Sequence, residues 1–252
     1  MTKKQIIEDA KDLILIVKEA SAAILDIYYS NSYSIEKKDD DSPLTLADRV
    51  SNKIITDALK KYGLPILSEE GTEILYNERE HWGLYWLIDP IDGTKEFINK
   101  NGEFTVNIAL MDKTKPVFGL VGVPIADEIY VGGETVPGYY LKDDIKIELT
   151  PKDKNTCNNI IVASKSHLNT ETEAYIASVN DASIIRVGSS LKFMMIARNK
   201  ASVYPRFGPT MEWDIAASHA ILLSLGYSIT STRGKKIEYN KENLLNPFFI
   251  AN

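Results

Sequence analysis

The sequence predicts a layered fold of the mixed α/β class, α+β in organisation, with helices and sheets stacked rather than wound as a regular βαβ array. Three observations point to it. Apolar residues recur every three or four positions through about residue 62. They then switch to alternation or short runs through about residue 141, and beyond about residue 159 short strands and helices follow one another.

Each element follows from its local pattern. Ile6, Ala10, Leu13, Val17, Ala20, Ile24 and Tyr28 fall on one stripe and predict a single long first helix. Residues 30–43 are polar and end in Ser42-Pro43, a loop. A second helix is expected over 46–62, burying Val50, Ile54, Ile55, Ala58 and Leu59, with Gly63 placed to stop it. Strands are expected at 65–68, 85–88, 104–111, 117–124, 128–131 and 138–141, punctuated by Gly, Pro, Asn and Asp. Residues 142–159 are polar and contain Pro151, so the chain is expected to divide there into domains 1–150 and 151–252. Beyond that boundary, 160–163, 183–187, 203–205 and 248–251 read as strands, and 170–179, 190–199 and 213–225 as helices.

Composition narrows the function. The 252 residues are 44% hydrophobic and 25% charged, enough for a sizeable core. A net charge of -6 without a basic run argues against a nucleic-acid polymer as partner. One cysteine, Cys157, excludes an intramolecular disulfide and suits a reducing cytoplasm. No stretch approaches the roughly 18 apolar residues of a membrane span, and peripheral contact with the inner face of a membrane is compatible with this. The oligomeric state is not fixed by the sequence.

The most informative segment is Trp86-Leu-Ile-Asp89-Pro-Ile-Asp92-Gly93-Thr94. An apolar run should be a buried strand ending at Asp89, and Pro90 fixes the chain direction as it leaves. A single turn could then aim Asp89 and Asp92 at one point. Gly93 permits close backbone approach, and N–H groups at the helix start that follows suit a phosphate. Acidic residues also end the strand at Leu67-Ser68-Glu69-Glu70, open the second helix at Asp48 and open the last helix at Asp214. Two unit charges ~4 Å apart repel by ~4 kcal/mol at an effective dielectric of 20. Divalent cations would relieve such repulsion, and oxygen-only donors favour Mg²⁺ over zinc. Plainer readings exist. Asp48 and Asp214 could be helix-dipole partners, Asp-Pro and Asp-Gly ordinary turns, and Glu69-Glu70-Gly71 a solvated loop.

These segments resemble the inositol monophosphatase superfamily. Its signature is matched by 86–94 and by Trp213-Asp214-Ile-Ala-Ala217, and Ser42-Pro-Leu-Thr45-Leu-Ala-Asp48 and Ser68-Glu-Glu70 match in the same order. Within it, the sequence is most similar to the CysQ-type 3'(2'),5'-bisphosphate nucleotidases, through Asn101-Gly-Glu-Phe-Thr-Val-Asn-Ile-Ala-Leu110, Ala163-Ser-Lys-Ser-His167, Gly188-Ser-Ser-Leu-Lys192, Tyr204-Pro-Arg-Phe-Gly-Pro-Thr210 and Leu245-Asn-Pro-Phe-Phe249. The resemblance implies an α-β-α-β-α five-layer sandwich. It implies two Mg²⁺ per site, or three, held by the side chains of Glu69, Asp89, Asp92 and Asp214 and the backbone carbonyl of Ile91. Asp48 and Thr94 would activate water, with Glu69 completing the catalytic set. Domain 1–150 would carry the metal-binding chemistry, and 151–252 would contribute Asp214 and the nucleotide contacts.

The substrate implied is a small nucleotide. The 3'-phosphate of 3'-phosphoadenosine 5'-phosphate, or of its sulfated form, would be hydrolysed in sulfur assimilation and nucleotide recycling, with lithium as an inhibitor. The amides of Gly93 and Thr94 would hold the phosphate beside Asp214. Lys192 and Arg206 would take the 5'-phosphate, and His167 and Ser189 would lie near the nucleoside. The plainer readings make Lys192 a solvated charge, Arg206 a packing residue and His167 a loop hydrogen-bonder. The alternatives are an inositol or sugar phosphatase with the same metal core, and a non-catalytic nucleotide binder. Two features depart from the family pattern. Asp39 and Asp41 crowd a loop in which Lys38, Asp40 and Ser42 keep the family spacing, and Lys165 stands where arginine is common and cannot form a two-pronged fork.

Overall fold

The computed structural model describes residues 2–30, 35–37, 43–151, 159–165 and 169–252. Lys38, Asp40, Ser42, Cys157 and His167 lie outside the described residues.

The first apolar stripe folds as two helices, α1 (Lys3–Glu8) and α2 (Ala10–Ser30), rather than one. Asp9 closes α1, its ψ at 20° and its N–H donating to the Gln5 carbonyl at 3.1 Å. The period survives the break, so Ile6, Leu13, Val17, Ala20 and Ile24 are all fully buried. A two-stranded ribbon, β1 (Ile35–Lys37) and β2 (Pro43–Thr45), leads into α3 (Leu46–Leu59). One 3₁₀ turn extends α3 to Tyr62, and Gly63 stops it in the left-handed conformation, φ 65°. The buried face of α3 is Ala47, Asp48, Ser51, Ile55 and Leu59, whereas Val50, Ile54 and Ala58 are only half-buried. An apolar count misplaces this face, because two of its buried members are polar.

The chain continues through β3 (Ile66–Ser68), a short α4 (Tyr76–Arg79), β4 (Leu84–Asp92), α5 (Thr94–Ile98), β5 (Thr105–Asp112), β6 (Lys115–Val123), β7 (Glu128–Gly133), β8 (Val136–Lys142) and β9 (Ile145–Glu148). The seven strands form one sheet in chain order, β3 parallel to β4 and each later strand antiparallel to the one before. Helix α4 is not signalled by apolar pattern, whereas the exposed β9, Ile145-Lys-Ile-Glu148, alternates apolar and polar residues inside the stretch expected to be a polar boundary.

The last hundred residues supply β10 (Ile160–Ser164), α6 (Thr170–Ala177), β11 (Ser183–Val187), α7 (Leu191–Ala197), β12 (Tyr204–Arg206), α8 (Glu212–Ser224), β13 (Ile229–Ser231) and β14 (Phe249–Ala251). The strands pair as β10-β11 and β12-β14-β13, and a parallel bridge between Ile161 and Val203 joins the two groups.

Alternation along the large sheet sorts its side chains into two layers. Trp86, Ile88, Val106, Ile108 and Leu110 pack with α2 and α3. Tyr85, Leu87, Ala109 and Met111 pack with α7, α8 and, beyond them, Phe249 and Ala251 of the small sheet. The order of layers is therefore α2/α3, large sheet, α7/α8, small sheet, α6, which is the α-β-α-β-α sandwich expected. The second core cluster draws on both sides of residue 150. Helix α8 lies directly on sheet backbone: a Cβ at Gly119 would sit 2.1 Å from the Ala217 carbonyl oxygen. Among the described residues no helix is long and apolar enough to cross a membrane.

Candidate active site

Asp89 and Asp92 owe their common direction to a bulge. In a regular strand an odd separation turns two side chains to opposite faces. Here Asp89 pairs with Asn107 and Asp92 with Thr105, so three steps along β4 match two along β5. Both carboxylates then share the sheet face that looks toward α7 and α8. Pro90 sits in the bulge, where its missing N–H leaves no ladder bond broken. Its carbonyl accepts a hydrogen bond from Ser51 Oγ at 2.9 Å, and the Ile91 N–H donates to Asp89 Oδ1 at 3.1 Å.

Two further carboxylates stand at the third position of helices, and each uses one oxygen as a cap. Asp48 Oδ2 accepts from Thr45 N at 2.8 Å and from Thr45 Oγ1 at 2.5 Å. Its other oxygen, Oδ1, accepts from Thr94 Oγ1 at 3.1 Å. Asp214 Oδ2 accepts from Met211 N at 2.8 Å. Beyond a place in the helix dipole, each residue thus gives one oxygen to capping its helix and keeps the second for other work. Glu69 follows β3, its N–H donating to the Ile88 carbonyl at 3.1 Å. Asn52 of α3 fastens this turn, accepting from Ser68 Oγ at 2.7 Å and donating to the Glu70 carbonyl at 3.3 Å.

The carboxyls feel one another. Burial raises Asp89 well above the ordinary carboxylate range, and the charges of Glu69, Asp92 and Asp214 raise it further. The nearby Glu69 carboxyl adds to the same upward push on Asp89. Burial also lifts Asp92 to about 6, against the opposing pull of Lys192 and Ser190. Asp214 is raised by burial and then by Asp92 and Glu69. Asp48 is raised by burial, with the hydrogen bonds from Thr45 and Thr94 opposing. Among the described residues no three His, Cys, Asp or Glu side chains close on one point as a finished metal cage. The donor chemistry nevertheless suits a hard divalent cation. Every candidate donor is an oxygen, and the cost of ionising Asp89, Asp92 and Asp214 together is the cost a bound cation removes.

A cleft of about 210 Å³ opens in front of these groups. Its lining includes Glu69, Asp92, Gly93, Thr94 and Asp214 together with Ser189, Lys192 and Arg206. Asp48, Asp89 and Ile91 are buried and do not line it. Gly93 adopts φ 97°, and a Cβ there would stand 3.0 Å from the Glu103 carbonyl oxygen, so only glycine fits between the bulge and α5. Lys192 is buried, at 6% exposure, which removes the reading of it as a solvated charge. Its Nζ donates to the Ser189 carbonyl at 2.7 Å and lies 5.4 Å from the Tyr204 ring centre. Burial lowers its pKa to about 8 although Asp92 pulls the other way. Arg206 Nη2 donates to the Pro209 carbonyl at 2.9 Å, while its Nε is buried with no hydrogen-bond partner among the described residues. Lys165 pairs with Glu103 at 3.1 Å, so its charge is directed to the protein.

Residues 9–248 match the profile of the inositol monophosphatase family. The chain belongs to that family. Family members are metal-dependent phosphatases. The 3'(2'),5'-bisphosphate nucleotidase CysQ of Escherichia coli (strain K12) is 38% identical over 241 residues, 93% of this chain and 95% of that protein. Its counterpart in Salmonella typhimurium is 38% identical over 238 residues, again 93% and 95%. The crystal structure of CysQ from Bacteroides thetaiotaomicron, a bacterial member of the inositol monophosphatase family, aligns with a TM-score of 0.85 at 39% identity over 97% of each chain.

In this member of the inositol monophosphatase family, several residues outside the set expected from sequence also build the site. Ser190 Oγ lies 2.7 Å from Thr105 Oγ1 and donates to Asn107 Oδ1 at 2.8 Å, and Ser190 also hydrogen-bonds Asp92. It thus connects α7 to the strand opposite the bulge. Glu103 accepts from the Gly188 N–H at 2.9 Å and braces the turn that places Ser189, whose φ is 43°. Signals for some of these were present. Thr105 and Asn107 interrupt an apolar strand at period two, and Asp48, Ser51 and Asn52 follow helical spacing.

Proposed function

We propose that the protein is a magnesium-dependent 3'(2'),5'-bisphosphate nucleotidase that hydrolyses the 3'-phosphate of 3'-phosphoadenosine 5'-phosphate, giving AMP and inorganic phosphate. The observation that carries this reading is one cleft whose lining combines the carboxylates of Glu69, Asp92 and Asp214 with buried Lys192 and half-buried Arg206. A substrate with two phosphates suits such a cleft, one at the acidic wall through bridging cations and one at the basic residues.

Glu69, Asp89, Asp92, Asp214 and the Ile91 carbonyl would hold the magnesium, two ions or three. Bound there, it neutralises the phosphoryl oxygens and the oxygen that leaves. Thr94 Oγ1 has one proton and directs it at Asp48 Oδ1, 3.1 Å away. Its lone pairs are thereby free to accept a proton from an attacking water. Asp48 serves this role ionised, and its bonds from Thr45 and Thr94 favour the ionised form against the cost of burial. The water oxygen bonds to phosphorus as its proton passes to Thr94 Oγ1 and the threonine's own proton moves to Asp48; the bond from phosphorus to the ribose 3'-oxygen breaks, and that oxygen takes a proton from solvent. The amides of Gly93 and Thr94 orient the phosphate, and Ser189 and His167 border the nucleoside. No covalent enzyme intermediate is needed.

The test is phosphate release from 3'-phosphoadenosine 5'-phosphate, its sulfated form, AMP and inositol 1-phosphate, each with and without Mg²⁺. The reading expects the bisphosphates to exceed inositol 1-phosphate in kcat/KM by about a hundredfold or more, the scale of one or two charge-assisted contacts. Equal turnover of inositol 1-phosphate would move the assignment to a sugar or inositol phosphatase. Tight nucleotide binding without turnover at any Mg²⁺ concentration would make the protein a binder.

A further inference from the structure

A buried polar chain behind the cleft joins the segments that carry the proposed ligands Glu69 and Asp214. Arg79, 2% exposed, ends α4 on the connection that leaves the Glu69 turn. It donates through Nη1 to Asn240 Oδ1 and through Nη2 to the Glu242 carbonyl, both at 2.9 Å. Asn240 answers with a bond from Nδ2 to the Arg79 carbonyl at 2.6 Å. The Asn240 N–H donates to Glu212 Oε2 at 2.6 Å, and the Lys241 N–H to Glu212 Oε1 at 3.1 Å. Lys241 Nζ closes an ion pair on the same Glu212 oxygen. Glu212 is fully buried, and it is the first residue of α8, two before Asp214.

The same loop also holds the residues that lead into α8. The Glu212 N–H donates to the Leu244 carbonyl at 3.0 Å, Asn246 N to the Thr210 carbonyl at 2.8 Å, and Asn246 Nδ2 to the Met211 carbonyl at 2.7 Å. Loop 240–246 therefore holds the start of α8 in place while its Asn240 grips Arg79. Buried charges of this kind add little to stability compared with apolar residues of the same shape, and in some proteins they serve instead to select one arrangement. The arrangement fixed here is the placement of Asp214 opposite Glu69.

We infer that Arg79, Asn240 and Glu212 form a positioning clamp that sets the spacing between the Glu69 and Asp214 ends of the divalent-cation site. None of the three lines the cleft, so none is a catalytic residue. The inference rests on the proposed metal site. It adds that the affinity of that site is set from residues behind it, as supporting groups commonly tune metal affinity by 10- to 100-fold.

Glu212→Gln keeps the shape but replaces one acceptor oxygen with an NH₂ group. Arg79→Lys keeps the charge and loses the two-pronged contact with Asn240 and Glu242. Titration calorimetry with Mg²⁺ and no substrate is the readout, alongside kcat and KM at saturating Mg²⁺ and thermal unfolding. The clamp predicts Mg²⁺ affinity about tenfold weaker or more in both variants, a matching rise in the Mg²⁺ concentration for half-maximal activity, and KM for the nucleotide within about twofold. Lower melting temperatures with Mg²⁺ affinity within twofold of the parent would show a merely structural role and overturn it. Should either variant fail to fold, Lys241→Met, at the half-exposed end of the chain, carries the same test, with unchanged Mg²⁺ affinity again the overturning result. No Mg²⁺ binding by the unaltered protein would overturn the proposed function and the clamp with it, whereas Mg²⁺ binding that the variants leave unchanged overturns the clamp alone.

Discussion

At the scale of single residues, protonation decides what the cleft can hold. Asp92, lifted to about 6 from its ordinary 3.8, favours folding most at low pH, because the folded state keeps the proton longer. That contribution is lost as pH rises from about 4 through about 6, and a bound cation should restore it. His219 acts in the opposite sense: burial lowers it to about 4, so its contribution is complete above 6.5 and is lost as pH falls toward 4. His219 acts with or without magnesium, so it cancels in the difference. Saturating Mg²⁺ is therefore expected to raise the melting temperature by several degrees at pH 7.5 and by less than half as much at pH 5. Scanning calorimetry with and without chelator checks this, and equal shifts at both pH values would contradict it. Lys192→Ala is expected to raise KM for a bisphosphate about tenfold or more while changing a monophosphate little. In the unaltered protein the same KM should climb above about pH 8, where Lys192 loses its charge. Steady-state kinetics on both substrates decides; equal effects would remove Lys192 from the 5'-phosphate.

At the scale of elements, two starts of helices and one bulge aim the carboxylates, and these differ in how far the sequence exposes them. Asp48 and Asp214 were legible because a carboxylate at the third helical position beside an apolar stripe has a stated use. What could not be read was that each divides its two oxygens between the helix and the site. The Asp89-Pro-Ile-Asp92 spacing was legible as a turn, but an odd spacing alone turns the pair apart. Only the register with Asn107 and Thr105, set by a strand more than a dozen residues later, returns them to one face. The break of the first helix at Asp9 was invisible because the apolar period runs through it. Helix α8 depends on a missing side chain in another element. A methyl group at Gly119 would meet the Ala217 backbone at 2.1 Å, and backbone cannot swing aside. Gly119→Ala is expected to destabilise the fold by about 3 kcal/mol and to lower activity through displacement of Asp214. Urea unfolding and phosphate release measure the two effects; a loss below about 0.5 kcal/mol would show that the sheet yields more easily than the packing implies.

At the scale of the whole molecule, the site exists because the layers are stacked as they are. The large sheet presents Asp89 and Asp92 toward α7 and α8, and those helices return Lys192 and Asp214 to the same cleft. The layered architecture and strand blocks were legible in the sequence, since period two and period 3.6 are written locally. The partition at residue 150 was read from a polar, proline-containing stretch, yet one hydrophobic cluster runs through both halves. Nothing in local composition reports which distant faces meet, so the cleft, the burial of Lys192 and the Arg79–Asn240–Glu212 chain emerged only from the assembled fold. The central claim is that Glu69, Asp89, Asp92 and Asp214 together hold divalent cations against this cleft. Its most direct measurement is an anomalous difference map from crystals of the protein grown with Mn²⁺ in place of Mg²⁺. The account predicts at least two peaks bordered by these four carboxylates, one of them lost in Asp89→Asn. A map with no peak among them, or with cations only elsewhere on the protein, would contradict it.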